Sequence, residues 1–536
     1  DYTGPLDNIT ILTYAIKALN DIGEPSGLSD LAETSLDDLD DEGLLDMVQE
    51  ATFRSFWDYG HPVSGMARER LGSGETVTSG GTGFGIMGMV AGIHRGFITR
   101  QDGLDGMQTI VDFLATADRF HGVWPHWMNG TTGKVIPFST KDNGGDLVET
   151  AFLVQGLLTA RSYFDGDGEE ATLRSKITQL WETVEWDWYR KNNSDVLYWH
   201  WSPNYQWSMN MQIRGFNETM IVYLLAIASP THGVPATLYH TGWAGASYYT
   251  NGKTFYGYKL DVGWDYGGPL FFTHYSFLGF DPRSKKDAYA NYFNNNRNTA
   301  LIHHAYCVAN PRNHPGYGDV CWGLTASDDP DGYAVHEPTA SRDNGTITPS
   351  AALSSMPYTP EESLKALKHF YRNLPKTWGW YGFYDAFNQR RNWWADSYLA
   401  IDQGPILGMI ENHRSGLLWE KFMQNPEIQP ALESIGFVSD PNGTESPLFS
   451  DFGFKILNNP SGESLELLIE SKGGEYYTIR VLNSLGDIVF EDRIYISESG
   501  KTYWKSPSLA IRNGLYFVSI SKNNKSETKK LFFISH

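Results

Sequence analysis

Apolar positions recur with a helical period over most of this chain. From residue 40 to about residue 437, apolar side chains lie three or four residues apart within segments that long polar and aromatic loops separate. The pattern predicts helices near residues 41–57, 84–96, 101–119, 146–164, 169–189, 218–229, 269–279, 284–306, 361–373, 394–411 and 416–424. Because no strand-like segments alternate with these helices, the pattern favours paired helices over a parallel sheet. A closed toroid of helical hairpins, with functional loops at its rim, fits this order.

The two ends of the chain follow other patterns. Residues 1–39 are acidic and interrupted by Gly and Pro, with one short helix expected around Ile11–Leu19, and we interpret them as a leader packed loosely on the next domain. Residues 438–450 have the composition of a linker. In residues 451–536, apolar and polar positions alternate between Gly, Asn and Ser turns, which predicts a small antiparallel β-sandwich. The predicted fold is therefore mainly α, with a β domain at the C-terminus.

Composition and charge exclude several classes of partner. A formal net charge of -21 argues against binding to nucleic acid or to an anionic membrane surface. The acidity is uneven, since residues 1–50 hold 13 acidic residues and one Lys. The chain contains no run of 18 apolar residues, so no membrane insertion is predicted.

The two cysteines, Cys307 and Cys321, lie in a segment rich in Gly, Pro and Asn. A disulfide in an exported protein is favoured over two free thiols. His303, His304 and His314 lie nearby, but their spacing is not that of a zinc site. We therefore predict a disulfide here, and no metal or cofactor in the protein.

Three carboxylates make residues 141–158 the first candidate site. Asp142, Asp146 and Glu149 stand four and three residues apart, so on an α-helix they would share one face. With no Lys or Arg between them they repel one another, which a fold tolerates most readily in an open cleft, where substrate hydroxyls or a shared proton relieve the repulsion. A solvated acidic helix edge is the alternative. Flanking aromatic residues favour the cleft.

Two later segments add further carboxylates. Glu218 opens an apolar helix, where burial would raise its pKa, whereas the helix N-terminus and the nearby Arg214 would favour the charged form. Asp402 precedes a Gln-Gly-Pro sequence that interrupts the helical pattern, and Asp396 lies close to Trp394. One of these two aspartates being a structural cap is at least as plausible as both being catalytic.

Four aromatic loops indicate the type of ligand. The segments GVWPHW (122–127), YWHWSPNYQW (198–207), DVGWDYGG (261–268) and CWGLTASDDPDGY (321–333) interleave Trp and Tyr with Asp, Asn and His. This mixture is typical of a carbohydrate cleft, where aromatic faces stack on sugar rings and polar groups bind hydroxyls. Some of the Trp residues belong to the core. Candidates for substrate binding or support are Trp124, His126, Trp322 and Trp394.

The GFGIMG segment, with Gly83, Gly85 and Gly88, matches the dinucleotide-binding fingerprint literally. The preceding TVTSGGT is a poor buried strand, and no βαβ unit with a ribose-binding acid follows. Small residues that allow close helix packing are the better explanation.

Several long motifs resemble one known family. DNGGDLVETAF, RGFNETM, CWGLTASD and WADSYLAIDQGPILGMIENHRSGLLW are similar to segments of the bacterial β-1,2-glucanases, over roughly residues 40–437. The resemblance implies an (α/α)6 barrel that hydrolyses β-1,2-glucan with inversion, acting either endo or exo with release of sophorose. It also implies that Glu218 is the general acid and that Asp402 is the candidate general base. Asp142, Asp146 and Glu149 would then bind substrate or organise the reacting water, and Arg214 would hold substrate or a nearby carboxylate.

The C-terminal segments NNPSGESLELLIES, VLNSLGDIVFEDRI and GLYFVSISKNNKSETKKLFF resemble the C-terminal sorting domain of type IX secretion. This resemblance implies contact with outer-membrane secretion machinery and a secreted, cell-surface or periplasmic protein. An accessory carbohydrate-binding or immunoglobulin-like module is the alternative, although a single Trp argues against a stacking surface there.

Three other functions compete with β-1,2-glucan hydrolysis. The chain could be a glucanase of another linkage, a polysaccharide lyase on a similar toroid, or a non-catalytic glycan-binding protein. A lyase of acidic sugars usually needs a basic cleft, whereas these loops are rich in acids. The presence of Glu218 and Asp402 beside the other three carboxylates argues against a protein that only binds.

Overall fold

The computed structural model describes residues 10–15, 17–18, 25–36, 39–440, 452–457, 464–471, 475–483, 488–496, 500–509, 511–522 and 525–533. The chain forms two compact units, Asp1–Glu445 and Ser446–His536. Parts of the predicted leader, and residues 441–450 of the predicted linker, lie outside the described residues.

Helices dominate the first unit. They are α1 (Asp41–Trp57), α2 (Ser79–Arg95), α3 (Arg100–Thr116), α4 (Leu147–Tyr163), α5 (Glu169–Glu182), α6 (Met220–Ala228), α7 (Tyr292–Ala309), α8 (Pro349–Leu353), α9 (Pro360–Asn373), α10 (Ala400–Arg414), α11 (Leu417–Met423) and α12 (Ile428–Ile435). A π-helical turn spans Tyr239–Trp243, and a 3-10 turn spans Leu270–Thr273.

The strands of the first unit are short and lie mostly in the loops between helices. They are β1 (Thr10–Tyr14), β2 (Ala32–Leu36), β3 (Thr76–Thr78), β4 (Trp127–Asn129), β5 (Val135–Ile136), β6 (Gly145–Asp146), β7 (His200–Trp201), β8 (Thr254–Phe255), β9 (Tyr258–Lys259), β10 (Lys285–Lys286), β11 (Ala326–Asp329), β12 (Gly332–Val335), β13 (Thr346–Ile347), β14 (Trp378–Gly379), β15 (Gly382–Phe383), β16 (Phe387–Asn388), β17 (Trp393–Trp394) and β18 (Val438–Ser439).

Burial separates the helices into two rings. Helices α2, α4, α6, α8 and α10 are buried on nearly every side, whereas α1, α3, α5, α7 and α9 each expose part of their surface. A helix that is apolar all round must be enclosed by other elements, so the first set forms the inner ring and the second the outer ring. The contacts α10–α2, α2–α4, α4–α6 and α8–α10 run around the inner ring. Inner and outer helices alternate along the chain, which is the order of an (α/α)6 barrel.

The segment 270–279 closes the inner ring between α6 and α8. The side-chain amide of Gln155 on α4 donates to the Tyr275 carbonyl oxygen at 3.0 Å, and Ile221 N–H on α6 donates to the Ser276 hydroxyl at 3.0 Å. A 3.0 Å hydrogen bond joins the His274 ring to the Ser355 hydroxyl, just after α8. A full helix was expected here, but only one 3-10 turn forms. Side chains from the neighbouring helices supply the hydrogen bonds instead.

Glycines set the distance between the two most closely packed inner helices. A Cβ atom on Gly83 of α2 would lie 2.1 Å from the Phe152 carbonyl oxygen of α4, and one on Gly156 would lie 2.1 Å from the Gly83 carbonyl oxygen. A Cβ on Gly85 would lie 2.7 Å from the Phe56 ring, and one on Gly88 would lie 2.4 Å from Leu407. The GFGIMG segment therefore serves helix packing, as predicted.

Helix boundaries differ from the predicted ones where caps and strands intervene. Helix α7 begins at Tyr292, eight residues after the predicted start, because the Asn291 side chain accepts the Asn294 N–H at 3.1 Å and caps the helix there. Helix α10 begins at Ala400 because Trp393–Trp394 pairs with Phe387–Asn388 as strand β17. Helices α8 and α12 were not predicted.

The prediction of a helix around Ile11–Leu19 is wrong. Residues Thr10–Tyr14 form strand β1, which pairs antiparallel with β2. The segment TILTY is rich in β-branched residues, which favour the extended backbone.

The predicted disulfide is not formed, since Cys307 and Cys321 are free buried thiols. Burial raises the pKa of both thiols, that of Cys321 to about 12. Disulfide formation requires a thiolate, so burial keeps both cysteines in the unreactive form. Both belong to the apolar core between α7, α8 and α9.

The second unit is a β-sandwich of two antiparallel sheets. Its strands are β19 (Phe452–Ile456), β20 (Glu466–Ser471), β21 (Glu475–Asn483), β22 (Ile488–Ile496), β23 (Gly500–Lys505), β24 (Gly514–Lys522) and β25 (Lys525–Phe533). One sheet has the order β19-β20-β23, and the other has the order β22-β21-β24-β25. Leu467 and Ile469 of the first sheet share a core with Ile479, Val518 and Ile520 of the second. This matches the predicted C-terminal domain.

Within the part of the chain that the structure describes, no helix combines the length and apolar character needed to cross a bilayer.

The contact between α2 and α4 predicts a large loss of stability in Gly83→Ala. The added methyl group would overlap the backbone of α4, at a cost of about 3 kcal/mol or more, which outweighs the gain of roughly 1 kcal/mol in helix propensity. Chemical denaturation measures the difference. Gly318→Ala is the control, because a Cβ there meets no atom within 4 Å. Equal stability of the two variants would contradict the packing role of Gly83.

Candidate active site

The candidate carboxylates gather where the inner helices begin. Asp146 caps α4, Glu149 lies in its first turn, and Asp402 lies in the first turn of α10. Glu218 stands two residues before α6. Helix N-termini present unpaired backbone N–H groups and the positive end of the helix dipole, so this end of the barrel stabilises negative charge.

Asp146 is held by four donors. Its Oδ1 accepts the N–H groups of Val148 and Glu149 at 2.9 Å each. Its Oδ2 lies 3.1 Å from the Trp199 indole nitrogen and 3.2 Å from His126 Nδ1. These contacts fix the carboxylate at the start of α4. Asp142, Asp146 and Glu149, here called the acidic cluster, therefore do not share a helix face as predicted, because only Glu149 lies within α4.

Glu149 joins α4 to the start of α2. Its Oε2 accepts the Gly80 N–H at 2.7 Å and the Thr78 hydroxyl at 3.3 Å. Its Oε1 lies 3.9 Å from His126 Nε2. Burial raises the pKa of Glu149, while the charge of His126 and the Gly80 N–H oppose that rise. A Cβ on Gly80 would lie 2.5 Å from Glu149 Oε2, so only glycine leaves room for this bond.

Asp142 has a buried oxygen without a hydrogen-bond donor. Its side chain is 8% exposed, and Oδ1 lies 3.3 Å from His200 Nε2. That nitrogen already accepts the Gly144 N–H at 3.1 Å, so it carries no proton to donate. Burial raises the pKa of Asp142 to about 7, and the charge of Asp146 adds to the rise.

His126 is the counter-ion of the acidic cluster. Burial alone would lower its pKa, but the charges of Glu149, Asp146 and Asp142 raise it to about 9. The ring is therefore an imidazolium at neutral pH, and it relieves the repulsion that the sequence implied. Ligand atoms of His126, Asp142 and Asp146 lie within 4.8 Å of one another, close enough to surround a metal ion.

Glu218 has the protonation behaviour expected of a general acid. Burial of its carboxyl raises the pKa to about 7, and the charges of Glu149 and Asp146 contribute to the rise. Its backbone carbonyl accepts the Ser276 hydroxyl, which ties it to the closing segment of the inner ring. The opposing effects noted in the sequence are thus resolved in favour of a raised pKa.

Arg214 does not approach the carboxylates as expected. Its Nε donates to Gln212 Oε1 at 2.9 Å, and its Nη1 donates to the Thr241 carbonyl oxygen at 3.0 Å. These contacts direct the guanidinium toward the π-helical turn of the outer ring. The charge of Arg214 therefore does not offset the burial of Glu218.

Asp402 forms a pair with a second buried carboxyl, Asp385. Both residues are 2% exposed, and the two carboxyls lie close enough for each to affect the pKa of the other. The Tyr275 hydroxyl donates to Asp402 Oδ1 at 3.2 Å, and Asp328 N–H donates to Asp385 Oδ2 at 2.6 Å. Burial raises the pKa of Asp402 to about 7 and raises that of Asp385 well above its ordinary value.

A charged network surrounds this pair. The Arg70 guanidinium donates to Asp328 Oδ1 at 2.9 Å and to Glu69 Oε2 at 2.9 Å. The Ser397 hydroxyl donates to Asp328 Oδ2. Desolvation and the charges of Asp402, Asp385 and Asp328 raise the pKa of Tyr333 on β12, although this side chain is half-exposed. The β11–β12 hairpin thus lies beside the carboxyl pair.

Two of the predicted tryptophans are core residues. The side chains of Trp124 and Trp322 are fully buried, so neither offers a face to a sugar ring. Their positions in aromatic loops had suggested the opposite. Trp124 packs under the Arg119 guanidinium at 4.0 Å from the ring centre, and its carbonyl oxygen accepts the Asp146 N–H at 2.9 Å. The Trp322 indole donates to the Glu362 carbonyl oxygen at 3.3 Å. Trp124 thus supports the acidic cluster through its hydrogen bond with Asp146.

Trp394 and Asp396 lie on the loop before α10. The Trp394 ring stacks on Phe387, with centroids 5.2 Å apart, and the Lys376 ammonium lies 5.6 Å from its centre. Asp396 is exposed. Neither is brought into contact with the acidic cluster or with Asp402 among the described residues.

Sequence reasoning missed Asp385, Tyr275 and Arg70. Asp385 lies in the segment KTWGWYGFYDAF, which mixes aromatic residues and an acid like the four loops that were singled out. That signal would have found it. Tyr275 and Arg70 gave no such signal, because their roles arise from contacts with residues distant in sequence.

Comparison with known proteins follows the division into two units. A family model described as "Putative glucoamylase" matches residues 210–426. A second model, described as "Secretion system C-terminal sorting domain", matches residues 455–534.

Three relatives are similar to most of this chain. An exo β-1,2-glucooligosaccharide sophorohydrolase (non-reducing end) of Parabacteroides distasonis is 47% identical over 449 residues, which are 80% of this chain and 61% of the relative. The chain thus spans less than two thirds of that relative's length. A β-1,2-glucanase structure from the same species is 47% identical, with a TM-score of 0.77 over 80% of this chain and 64% of that one.

The third relative is matched over nearly its whole length. The structure of an endo-β-1,2-glucanase from Chitinophaga pinensis, in complex with sophorotriose and glucose, is 52% identical. Its TM-score is 0.74, and the match covers 75% of this chain and 99% of that one. With this degree of identity over an entire relative, the chain belongs to the bacterial β-1,2-glucanase family.

Proposed function

We propose that this chain is a glycoside hydrolase that cleaves β-1,2-glucan with inversion, with Glu218 as general acid and Asp402 as general base. The observation that carries the proposal is a pair of carboxyls, each with its pKa raised to about 7, at the starts of two inner helices. Both charges also raise the pKa of Tyr275, so the two carboxyls lie near this one phenol. The names of the relatives support the choice of glucan linkage.

The chemistry of inversion requires two separated carboxyls in opposite states. One must be protonated to donate to the leaving oxygen, and the other must be ionised to take a proton from the attacking water. A pKa near 7 allows Glu218 to hold its proton and Asp402 to lose its own at the same neutral pH. Because Asp402 accepts the Tyr275 hydroxyl at 3.2 Å and lies close to Asp385, its orientation is fixed before substrate arrives.

The acidic cluster is suited to binding sugar hydroxyls. The Asp142 carboxylate receives no hydrogen bond from the described residues, and 8% of its side chain remains exposed, so a glucose hydroxyl can donate to it. The neighbouring oxygens of Asp146 are occupied by backbone, indole and imidazolium donors. We therefore assign substrate contact to Asp142 and a supporting role to Asp146 and Glu149.

The cations near the carboxyls do not favour a polysaccharide lyase. Arg70 is paired with Glu69 and Asp328, and His126 is paired with Asp146. A lyase must neutralise the carboxylate of a uronic acid, and these cations are already neutralised by protein acids. The described part of the site therefore suits a neutral glucan better.

The C-terminal β-sandwich is a secretion-system sorting domain, and it directs the chain to the cell exterior. We propose that it is recognised by the type IX machinery at the outer membrane. It then has no role in hydrolysis, because every residue assigned above lies before residue 441.

The product profile on linear β-1,2-glucan is the direct test of the proposed activity, with laminarin, cellulose and starch as controls. We expect cleavage of β-1,2-glucan alone, with the α-anomer as first product because the mechanism inverts a β linkage. Chromatography and NMR of fresh products measure both. A ladder of oligosaccharides would indicate endo action, and sophorose alone would indicate exo action. Turnover of another glucan but not of β-1,2-glucan would overturn the substrate, and a β-anomer would overturn inversion.

Glu218→Gln should lower kcat by about 10²–10⁴-fold, because the amide cannot protonate the leaving oxygen. Binding of β-1,2-glucooligosaccharide, measured by calorimetry, should change little. The kcat/KM of the native protein should peak near pH 7, falling at lower pH as Asp402 is protonated and at higher pH as Glu218 ionises.

The Glu218→Gln variant should lack the fall in kcat/KM at alkaline pH. Glu169→Gln, an exposed substitution at the start of α5, is the matched control and should behave as the native protein. Retention of full activity in Glu218→Gln would remove Glu218 as the acid.

A chain that ends at residue 440 should keep the kcat/KM of the full chain. The cut preserves the pairing of β18 with β10 and the Asp440 carboxylate, which accepts from the Asn291 side-chain amide at 3.1 Å. Activity assays together with circular dichroism make the comparison. A shortened chain that folds but does not hydrolyse glucan would contradict the division into two functional units.

A further inference from the structure

We propose that Asp385 is a positioning residue that holds a proton against Asp402 and so keeps the general base ionised and correctly oriented. This inference rests on the proposed function, because it gives Asp385 its role through Asp402. Asp385 is a buried carboxyl that lies outside the sequence motifs and is not one of the two proposed catalytic carboxyls. The inference gives it a function.

The first step is the contact between the two carboxyls. Asp385 comes from the loop before β16, and Asp402 comes from the first turn of α10. Asp385 Oδ1 and Asp402 Oδ2 are both buried, and neither receives a hydrogen bond from any other described group. Two ionised carboxylates in hydrogen-bond contact, away from water, would repel each other strongly. A single proton between these two oxygens removes the repulsion and satisfies both.

The second step locates that proton. Burial raises the pKa of Asp385 well above its ordinary value, and the charge of Asp402 raises it further. Burial also raises the pKa of Asp402, but the hydrogen bonds from Asp385 and Tyr275 lower it again to about 7. Because the Tyr275 hydroxyl and the Arg70 charge both favour the ionised form of Asp402, we place the shared proton on Asp385, which donates it to the carboxylate of Asp402.

The remaining charged and titratable neighbours act differently on Asp385 and Asp402. The Asp328 charge raises the pKa of both carboxyls, while the Arg70 charge lowers that of Asp402. Asp328 N–H donates to Asp385 Oδ2, which leaves Oδ1 as the oxygen of Asp385 without a donor. Tyr333 contributes a phenol on the hairpin side, and its own pKa is raised, so it remains neutral.

The functional consequence concerns the acid side of the pH profile. When two carboxyls share a proton, the observed pKa belongs to the pair and not to one residue. Removal of the Asp385 donor leaves only Tyr275 and Arg70 to oppose the effect of burial, so the pKa of the base rises. The base is then protonated at a pH where the native protein is still active.

The test compares two substitutions by their pH profiles of kcat/KM. Asp385→Ala removes the donor, and we expect the acid limb to move up by about one pH unit, which lowers kcat/KM about tenfold at pH 6. Asp385→Asn retains an N–H donor of the same shape, so its acid limb should stay near the native position or below it. The alkaline limb, which reports Glu218, should not move in either variant. Asp167→Asn, an exposed change in the loop after α4, is the control.

A measurement without substrate tests the shared proton independently of catalysis. Infrared difference spectra of the native protein at pH 8 should show the carbonyl stretch of a protonated carboxyl that is absent from Asp385→Asn. This readout also decides the question if Asp385→Ala does not fold.

Loss of the band together with the shifted acid limb would support the proposal. An unchanged acid limb in Asp385→Ala, or the same protonated-carboxyl band in the native protein and in Asp385→Asn, would overturn it. Absence of all glucanase activity from the native protein, with the band still present, would overturn the proposed function and leave the shared proton in place.

Discussion

Negative charge buried at one end of the inner ring is the constraint on which the rest of the structure depends. Asp142, Asp146, Glu149, Asp385 and Asp402 are nearly inaccessible to water. A carboxylate in that position is stable only if it receives hydrogen bonds, meets a positive charge or keeps a proton. The barrel supplies all three, because its inner helices begin here and their free N–H groups point toward the site.

The carboxyls divide according to which kind of compensation they receive. Asp146 and Glu149 accept backbone N–H groups at helix starts and lie beside the His126 imidazolium, so they are fixed in place. Glu218 and Asp402 are compensated less fully, and their pKa values rise to about 7. Groups that exchange protons near neutral pH suit catalysis, whereas groups held by several fixed donors suit positioning. The fold thus produces two classes of carboxyl, which differ in the number of hydrogen-bond donors around them.

The sequence predicted the parts of the molecule that depend on local periodicity. Most inner and outer helices were located because each buries a continuous apolar face, and the C-terminal sandwich was located by its period of two. The start of α10 was wrong because the Trp393–Trp394 segment pairs with a strand, a contact that no local pattern reveals. Asp385 was missed although its segment mixes aromatic residues and an acid like the four loops that were singled out. Cys307 and Cys321 were assigned a bond that their buried thiols do not form. Candidate carboxylates were found by type and spacing, but their partners came only from tertiary contacts.

The raised pKa values in the site also lower the stability of the folded protein over part of the pH range. A carboxyl whose pKa is higher in the folded than in the unfolded protein is ionised at lower pH when unfolded, so the folded state loses relative stability as pH rises through that range. Glu218 and Asp402 follow this rule between about pH 4 and pH 7. His126 acts in the same direction, since its folded pKa of about 9 exceeds its unfolded value, and its contribution is lost as pH rises from about 6.5 to 9. Stability must therefore come from elsewhere, and the tight contact of α2 with α4 beneath the acidic cluster is one source. The same glycines that allow this contact bring Gly80 within reach of Glu149, so helix packing and charge compensation are two results of one close approach.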